Sequence, residues 1–198
     1  MAKQLEFFFD YVSPTTHLAS PVAEQVAERT GAEIVYRPMF LGGVMQATGN
    51  RPPGMVPAKG KYMGQDMQRC AKRIGIELHM NPHFPMNTRG LTRATIGLLE
   101  KDPAEALRFM KACLKHCWGK PDPMDPAKPE DVAAMCEAEA FNAETIAALA
   151  SDEDNKAKLR ANTEEAVERG VFGAPSFFVG DDLFFGHDRL DYAEEALA

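Results

Sequence analysis

Ser13 is the residue whose position in the sequence makes it the strongest candidate for an active-site residue. It follows an aromatic-rich segment at residues 4–9 and precedes Pro14, so it lies between a predicted strand and a predicted helix. Backbone N–H groups and the helix dipole favour negative charge there, and a thiolate would be stabilised. Ser13 is not predicted to be a hydrolase nucleophile, because no Gly-x-Ser-x-Gly motif and no obvious His and Asp partners surround it. Taken alone, the local sequence favours a helix cap worth about 1 kcal/mol.

The cysteines and histidines predict no metal site and no disulfide framework. Cys113 and Cys117 lie four residues apart with His116 between them, which would place both thiols on one face of a helix. No second ligand pair at zinc spacing accompanies them, so packing is the favoured interpretation. His79 and His83 have helical ligand spacing, but a proline lies between them. No Cys-x-x-Cys pair occurs among the four cysteines, which are Cys70, Cys113, Cys117 and Cys136.

A strand-helix-strand unit is predicted to position Ser13. The helix should run from Pro14 to about Thr30 and stop at Gly31, and Pro21 should kink it unless the packing is adapted. Residues 32–39 form the second predicted strand. Because a helix connects them, the two strands should be parallel with a right-handed crossover.

The middle of the chain is predicted to be helical and the end to return to strands. Glycines and prolines make residues 41–60 a predicted structured loop, and helical patterns occupy residues 61–75, 88–118, 129–138, 142–151 and 153–170. Residues 176–179 and 183–185 form a hairpin pattern, and a last short helix covers residues 189–197. The predicted fold class is α/β: one sheet domain, residues 1–40 and 170–198, split by an inserted helical domain, residues 41–169.

Composition excludes several classes of function. The chain has 198 residues, 45% hydrophobic and 26% charged, which suits a compact domain with a real core. A net charge of −7 argues against a nucleic-acid partner, since such partners need clustered cations. The N-terminus lacks a signal-peptide pattern and no stretch approaches the roughly 20 apolar residues of a membrane helix. We expect no membrane association and a cytoplasmic location.

Two motifs near the C-terminus make the pattern specific. The sequence Gly-Val-Phe-Gly-Ala-Pro-Ser occupies residues 170–176 and Phe-Phe-Gly-His-Asp-Arg-Leu occupies residues 184–190. Together with the Ser13-Pro14 helix start, they resemble the 2-hydroxychromene-2-carboxylate isomerases over nearly the whole chain. Further markers lie at residues 36–38, 47–53, 56–59, 83–87 and 118–119. The resemblance implies a thioredoxin-like fold with a helical insertion, shared with kappa-class glutathione transferases and periplasmic disulfide oxidoreductases.

The resemblance implies glutathione as cofactor. Ser13 would hydrogen-bond the glutathione sulfur and lower its pKa, so that the reactive thiolate is present near neutral pH. Ala174, just before Pro175, a candidate for a cis peptide bond, would pair its backbone with the cysteinyl part. His187 and Asp188 would receive the γ-glutamyl end. The remaining cofactor positions are Asn50, Phe185 and Gly186.

A second substrate, a small aromatic molecule, would bind between the insertion and the sheet domain. The resemblance assigns its pocket to Pro53, Lys59, Phe84 and Asn87, with Asn50 beside them. Simpler interpretations stay open: Lys59 as solvated surface, Phe84 as core, and Asp188 as the N-cap of the last helix.

The sequence departs from the family pattern at two places. Thr15-Thr16-His17 follow Pro14 where aromatic and serine residues are usual, and His187 stands where an amide or small polar residue is more usual. These changes bear on substrate specificity. His17 could contribute acid-base chemistry or simply pack.

The reaction implied by the resemblance is the interconversion of 2-hydroxychromene-2-carboxylate and trans-o-hydroxybenzylidenepyruvate in naphthalene-type catabolism, through thiolate addition, bond rotation and elimination. A kappa-class-like transferase and a non-catalytic thioredoxin-fold binding protein are the alternatives. A dithiol oxidoreductase is disfavoured because no cysteine lies near residue 13. The resemblance also implies a homodimer.

Overall fold

A four-stranded mixed sheet lies at the centre of the computed structural model, which describes residues 3–198. Its spatial order is β2-β1-β3-β4. The strands are β1 (Gln4–Phe9), β2 (Glu33–Pro38), β3 (Ser176–Val179) and β4 (Asp182–Phe185). As predicted, β1 and β2 are parallel and β3 and β4 form an antiparallel hairpin. Strand β3 also pairs antiparallel with β1, so the two ends of the chain share one sheet.

Nine α-helices surround this sheet within the described residues. They are α1 (Pro14–Thr30), α2 (Leu41–Thr48), α3 (Pro57–Ile74), α4 (Arg89–Lys101), α5 (Pro103–Trp118), α6 (Pro129–Ala138), α7 (Ala143–Ser151), α8 (Glu153–Glu168) and α9 (Leu190–Leu197). Each helix of residues 3–198 is too short or too polar to span a bilayer.

The alternation of β1 side chains divides the core in two. Phe7 and Phe9 belong to a large cluster that includes α1, α9 and helices α3 to α7 of the insertion. Phe8 points to the opposite face, where it packs with Val44 of α2 and Ala166 of α8. Because successive strand residues face opposite sides, three consecutive phenylalanines can all be buried. Both faces of the sheet are therefore covered.

The predicted secondary structure was wrong in two places. Residues 41–60 are not one loop: they contain α2, a 3-10 turn at Pro53–Met55 and the start of α3. Burial of Leu41 and Val44 against the sheet outweighs the low helix propensity of the nearby glycines. The pattern over residues 88–118 is two helices, because Pro103 starts α5 and the Asp102 side chain caps it.

Two buried hydrogen bonds attach the insertion to the segment that follows β1. The indole N–H of Trp118 donates to the Tyr11 carbonyl at 2.7 Å. The Tyr11 hydroxyl lies 2.5 Å from Oγ1 of Thr95 on α4. Both contacts hold the turn at residues 10–13 against α4 and α5. The boundaries at residues 40 and 170 stay a prediction.

Candidate active site

Ser13 sits at the N-terminus of α1, but its hydroxyl does not cap the helix. The residue is the N-cap by backbone position, with Pro14 at the first helical position, and its side chain makes no capping hydrogen bond. The Ser13 hydroxyl instead lies 2.9 Å from the Ala174 carbonyl oxygen. Ser13 as a whole residue is 6% exposed, so it is buried. The cap-only interpretation is therefore wrong for the Ser13 hydroxyl.

Thr15 completes a cluster of three contacts around Ser13. The Thr15 hydroxyl lies 2.8 Å from the Ser13 hydroxyl and 3.1 Å from the Ala174 carbonyl. Two hydroxyl protons serve three contacts, so more than one proton arrangement is available. In a first arrangement, Ser13 donates to the Ala174 carbonyl; in a second, Thr15 does. The second arrangement leaves the Ala174 carbonyl satisfied when the Ser13 proton is directed elsewhere.

The segment facing Ser13 is shaped by two backbone features. The Ala174–Pro175 peptide bond is cis, which the sequence suggested. The Pro175 carbonyl accepts a hydrogen bond from the Gly186 N–H at 3.0 Å. Gly186 has φ +102°, and a Cβ there would lie 2.7 Å from Oδ1 of Asp188. Glycine at this position therefore brings the 186–188 segment onto the Ala174–Pro175 turn.

Asp10 is a buried carboxylate beneath this site. Its Oδ1 accepts hydrogen bonds from the Thr88 hydroxyl at 2.5 Å and the Val12 N–H at 3.2 Å. Its Oδ2 accepts from the Leu41 N–H at 2.8 Å. Burial raises the pKa of the Asp10 carboxyl above its ordinary value of 3.8, against the opposing effect of these hydrogen bonds. Asp10 thereby joins β1 to the starts of α2 and α4.

His187 and Asp188 differ sharply in environment. The Nε2 atom of His187 is buried and has no hydrogen-bond partner among residues 3–198. Burial lowers the pKa of His187, which keeps its imidazole neutral near pH 7. The Asp188 carboxylate is exposed and accepts a hydrogen bond from Arg189 at 2.8 Å. The Asp188 side chain makes no cap for α9, whose N-cap residue is Arg189, so that alternative interpretation is wrong.

Asn50 reaches the same segment from the end of α2. Its side-chain amide donates to the Phe172 carbonyl at 2.7 Å. The Phe172 ring lies 4.5 Å from the Phe185 ring, and both are about two-fifths exposed. A Cβ at Gly173 would lie 2.7 Å from the Phe185 ring, so this glycine allows the ring to cover the strand just before Ala174. An exposed aromatic pair therefore borders the Ser13 cluster in sequence and space.

The predicted substrate residues fall into two separate places. Pro53 and Lys59 line a shallow cavity of about 410 Å³ with Tyr62 and Met63. No hydrogen bond in the described chain connects this cavity to the Ser13 cluster.

Phe84 and Asn87 lie on the loop before α4. The Phe84 ring is 6.1 Å from the Trp118 ring and 43% exposed, so it is not a core residue. Asn87 is exposed and accepts a hydrogen bond from Arg89 at 3.0 Å. Through Thr88 and Trp118, this loop is attached to the turn that carries Ser13.

The remaining candidates have packing roles. Cys113 and Cys117 are fully buried in the core, and burial raises the pKa of each thiol. The His17 Nε2 lies 2.9 Å from the Glu77 carbonyl, and burial lowers its pKa. His17 therefore connects α1 to the segment after α3.

Sequence reasoning missed three residues of the site. Thr15 appeared only as a departure from a pattern, although its place in the first turn of α1 was a usable signal. Asp10 and Thr88 are 78 residues apart, and nothing local indicates that they meet.

Comparison with known proteins identifies the family of this chain. The family model of the DSBA-like thioredoxin domain matches residues 4–198. This chain belongs to the DsbA-like thioredoxin family. It is 32% identical over 200 residues to a 2-hydroxychromene-2-carboxylate isomerase of Sphingobium xenophagum, covering 100% of this chain and 99% of that relative. It is 30% identical over 206 residues to glutathione S-transferase kappa 1 of Caenorhabditis elegans, covering 98% and 90%.

A solved structure supports the same relationship for this DsbA-like chain. The structure of a 2-hydroxychromene-2-carboxylate isomerase superimposes with a TM-score of 0.86 at 26% identity, covering 98% of this chain and 94% of the other. The predicted family and the thioredoxin-like α/β fold are confirmed. Since these relatives are isomerases and transferases, the DsbA-like chain is an enzyme of isomerase or glutathione-transferase type.

Proposed function

We propose that this protein is a glutathione-dependent isomerase that interconverts 2-hydroxychromene-2-carboxylate and trans-o-hydroxybenzylidenepyruvate. The observation that carries the proposal is the Ser13 hydroxyl, which lies at a helix N-terminus, is free of capping and faces the carbonyl before a cis proline. The substrate comes from the name of the relative that is 32% identical over the full chain.

The residues around Ser13 fit glutathione. Ser13 offers a hydroxyl proton to a sulfur, and Ala174, two residues before β3, would offer its backbone to a peptide. The buried, unpartnered Nε2 of His187 suits a polar group of the peptide. The exposed Asp188 carboxylate suits the γ-glutamyl ammonium, which would take the place of its Arg189 contact. Asn50, Phe185 and Gly186 would complete this binding surface.

When bound, glutathione would supply a thiolate that adds to the substrate double bond and leaves after rotation, with no net redox change. Ser13 would hold that thiolate by donating a hydrogen bond, which favours the charged form of the sulfur. Thr15 would then donate to the Ala174 carbonyl, so that no buried acceptor is left unpaired. Ser13 acts here as a hydrogen-bond donor and does not attack the substrate.

The aromatic substrate would lie beside this cluster. Phe84 and Asn87 belong to the loop attached to the Ser13 turn, and the Phe172 and Phe185 rings offer an exposed aromatic surface. Pro53 and Lys59 would form the outer part of the pocket, with Lys59 directed to the substrate carboxylate. The homodimer and the cytoplasmic location stay predictions.

Ser13→Ala tests the proposal. We expect turnover with glutathione to fall at least about tenfold, which corresponds to one lost charge-assisted hydrogen bond. The thiol pKa of bound glutathione, followed by the ultraviolet absorbance of the thiolate against pH, should rise in the variant. Urea unfolding measures the stability of the same preparation. Full activity with an unchanged thiol pKa would refute the role of Ser13.

A kappa-class-like transferase is the second candidate, because a kappa relative is 30% identical over 98% of this chain. Product analysis separates the two: the isomerase returns free glutathione, whereas the transferase yields a product heavier by the tripeptide. Binding of glutathione without either product would identify a non-catalytic binding protein.

A further inference from the structure

A groove between α2, α4 and α8 has the features of a second ligand site. Its volume is about 770 Å³. None of the residues that line it belongs to the Ser13 cluster or to the predicted cofactor and substrate positions. We call it the arginine groove, after Arg89, Arg93 and Arg160, which line it.

The three arginines of this groove have no acidic partner. Arg89 and Arg93 are one turn apart on α4, and Arg160 comes from α8. Within residues 3–198, none of these guanidinium groups has a carboxylate oxygen within 4.0 Å. Other arginines of this acidic chain do form such ion pairs, among them Arg29, Arg37, Arg108 and Arg169. Three arginines without an ion pair therefore line one groove of a protein with a net charge of −7.

Arg93 is the arginine of this groove whose surroundings most favour an anion. Its Nε atom is buried and has no hydrogen-bond partner among the described residues. Burial and the nearby Arg89 charge lower the pKa of Arg93, and Glu153 opposes this only in part. A bound anion would give the Nε–H an acceptor and offset the repulsion between the two guanidinium groups.

Phe40 gives the arginine groove an aromatic wall. A Cβ at Gly42 or Gly43 would lie 2.7 Å or 3.1 Å from the Phe40 ring, so these glycines allow the ring to fold over the first turn of α2. The Arg89 guanidinium lies 5.5 Å from the centroid of the Phe40 ring. Phe40 is 36% exposed. An aromatic surface thus lies beside the cations.

Charge varies along the groove and limits what can bind. Lys156 and Arg160 lie toward the N-terminal half of α8, where Lys156 already pairs with Glu153. Glu164 and Glu168 line the groove one and two turns further along α8. A long polyanion would meet these carboxylates. A small ligand with a single anionic group and a neutral body would place its charge at the arginines and no charge beside these carboxylates.

We propose that the arginine groove binds a small aromatic carboxylate, with the carboxylate held by Arg93 and Arg160 and the ring placed against Phe40. Arginine suits this role because its planar fork pairs with a carboxylate through two hydrogen bonds. The site does not use Ser13, and it does not depend on the proposed isomerase activity.

Isothermal titration of the full chain with benzoate tests the site. We expect saturable binding that weakens at least about tenfold in Arg93→Gln and in Arg160→Gln. Arg160 is exposed, so loss of binding in that variant cannot be attributed to misfolding. Lys158→Gln is the matched control, because Lys158 lies on α8 outside the groove and pairs with Glu100. Its affinity should equal that of the wild type.

Three further measurements test whether the ligand needs its charge and its ring and whether the site is independent of Ser13. Benzamide, which lacks the charge, and inorganic phosphate, which lacks the ring, should both bind more weakly than benzoate. Ser13→Ala should leave benzoate binding unchanged, which separates this site from the thiol site. Equal binding of benzoate by wild type and Arg93→Gln, loss of binding in Ser13→Ala, or phosphate binding as tight as that of benzoate would overturn the proposal.

Discussion

At the scale of single residues, the Ser13 cluster has only two hydroxyl protons for its three hydrogen-bonding contacts. Ser13 and Thr15 share the Ala174 carbonyl, and each hydroxyl has one proton to donate. If Ser13 acted alone, directing its proton to a sulfur would leave the buried Ala174 carbonyl without a donor, at a cost of about 1 to 3 kcal/mol. Thr15 removes this cost. Its hydroxyl should therefore influence thiolate activation without touching the sulfur.

Thr15→Val tests this role. The substitution keeps the shape and removes the hydroxyl, so we expect kcat/KM with glutathione to fall about threefold to tenfold, the equivalent of one neutral hydrogen bond. The adjacent Thr16→Val is the control, because the buried Thr16 hydroxyl has no hydrogen-bond partner among residues 3–198. It should keep full activity and be at least as stable as the wild type. Equal activity losses in both variants would show that Thr15 acts only through packing.

At the scale of elements, the Asp10 carboxylate joins three chain segments at one point. It receives hydrogen bonds from the turn after β1, from the first residue of α2 and from Thr88, which precedes α4. The carboxylate is buried, and burial raises its pKa in the folded state. A group of this kind stabilises the fold most when it is protonated. Its contribution should be lost as the pH rises through the raised pKa.

Asp10→Asn makes this linkage measurable. The unfolded carboxyl titrates near its ordinary value of 3.8 and the folded one above it. The free energy of unfolding of the wild type should therefore fall, relative to that of Asp10→Asn, as the pH rises from about 4 toward 7. Urea unfolding at several pH values measures the difference in free energy of unfolding between the two proteins. The histidines contribute equally to both proteins, so their titration does not affect this difference. A difference that does not change with pH would contradict a raised Asp10 pKa.

At the scale of the whole molecule, α4 packs against α5, α7 and α8 of the helical insertion and also against β2 of the sheet. Gly97 lies in its interior, where a Cβ would be 2.5 Å from Nδ2 of Asn155 and 2.7 Å from Cδ2 of Leu149. Asn155 is buried and donates to the Leu149 carbonyl at 3.0 Å. The Asn155 amide group can move away only by giving up its hydrogen bond to the Leu149 carbonyl. The close approach of these helices therefore depends on the absence of a side chain at Gly97.

Gly97→Ala should destabilise the protein although alanine is the better helix former. Overpacking costs about 1 to 3 kcal/mol and the higher helix propensity of alanine returns about 1 kcal/mol, so we expect a net loss of up to about 2 kcal/mol in urea unfolding. Gly64→Ala in α3 is the matched control, because no atom lies within 4 Å of its Cβ position. It should stabilise the protein by up to about 1 kcal/mol. Similar effects of the two substitutions would argue against tight packing at Gly97.

The sequence by itself determined the local features of this protein. An aromatic-rich segment defines β1, Ser13-Pro14 defines the start of α1, and the hairpin at residues 176–185 follows from strand patterns around a turn. These features were predictable because they depend on propensities and on neighbours within a few residues. Helix α2 was not, since its glycine-rich sequence forms a helix only through burial of Leu41 and Val44 on the sheet.

Only the tertiary structure decided what the Ser13 hydroxyl does. From the sequence, capping and ligand binding were both open for Ser13, and the choice depends on Ala174, which lies 161 residues away. The same holds for Asp10 with Thr88 and for the three arginines of the groove. Contacts between distant segments depend on how the elements pack, and no local pattern records them. The sequence placed a hydroxyl at a helix N-terminus, and the fold gave that hydroxyl its partners.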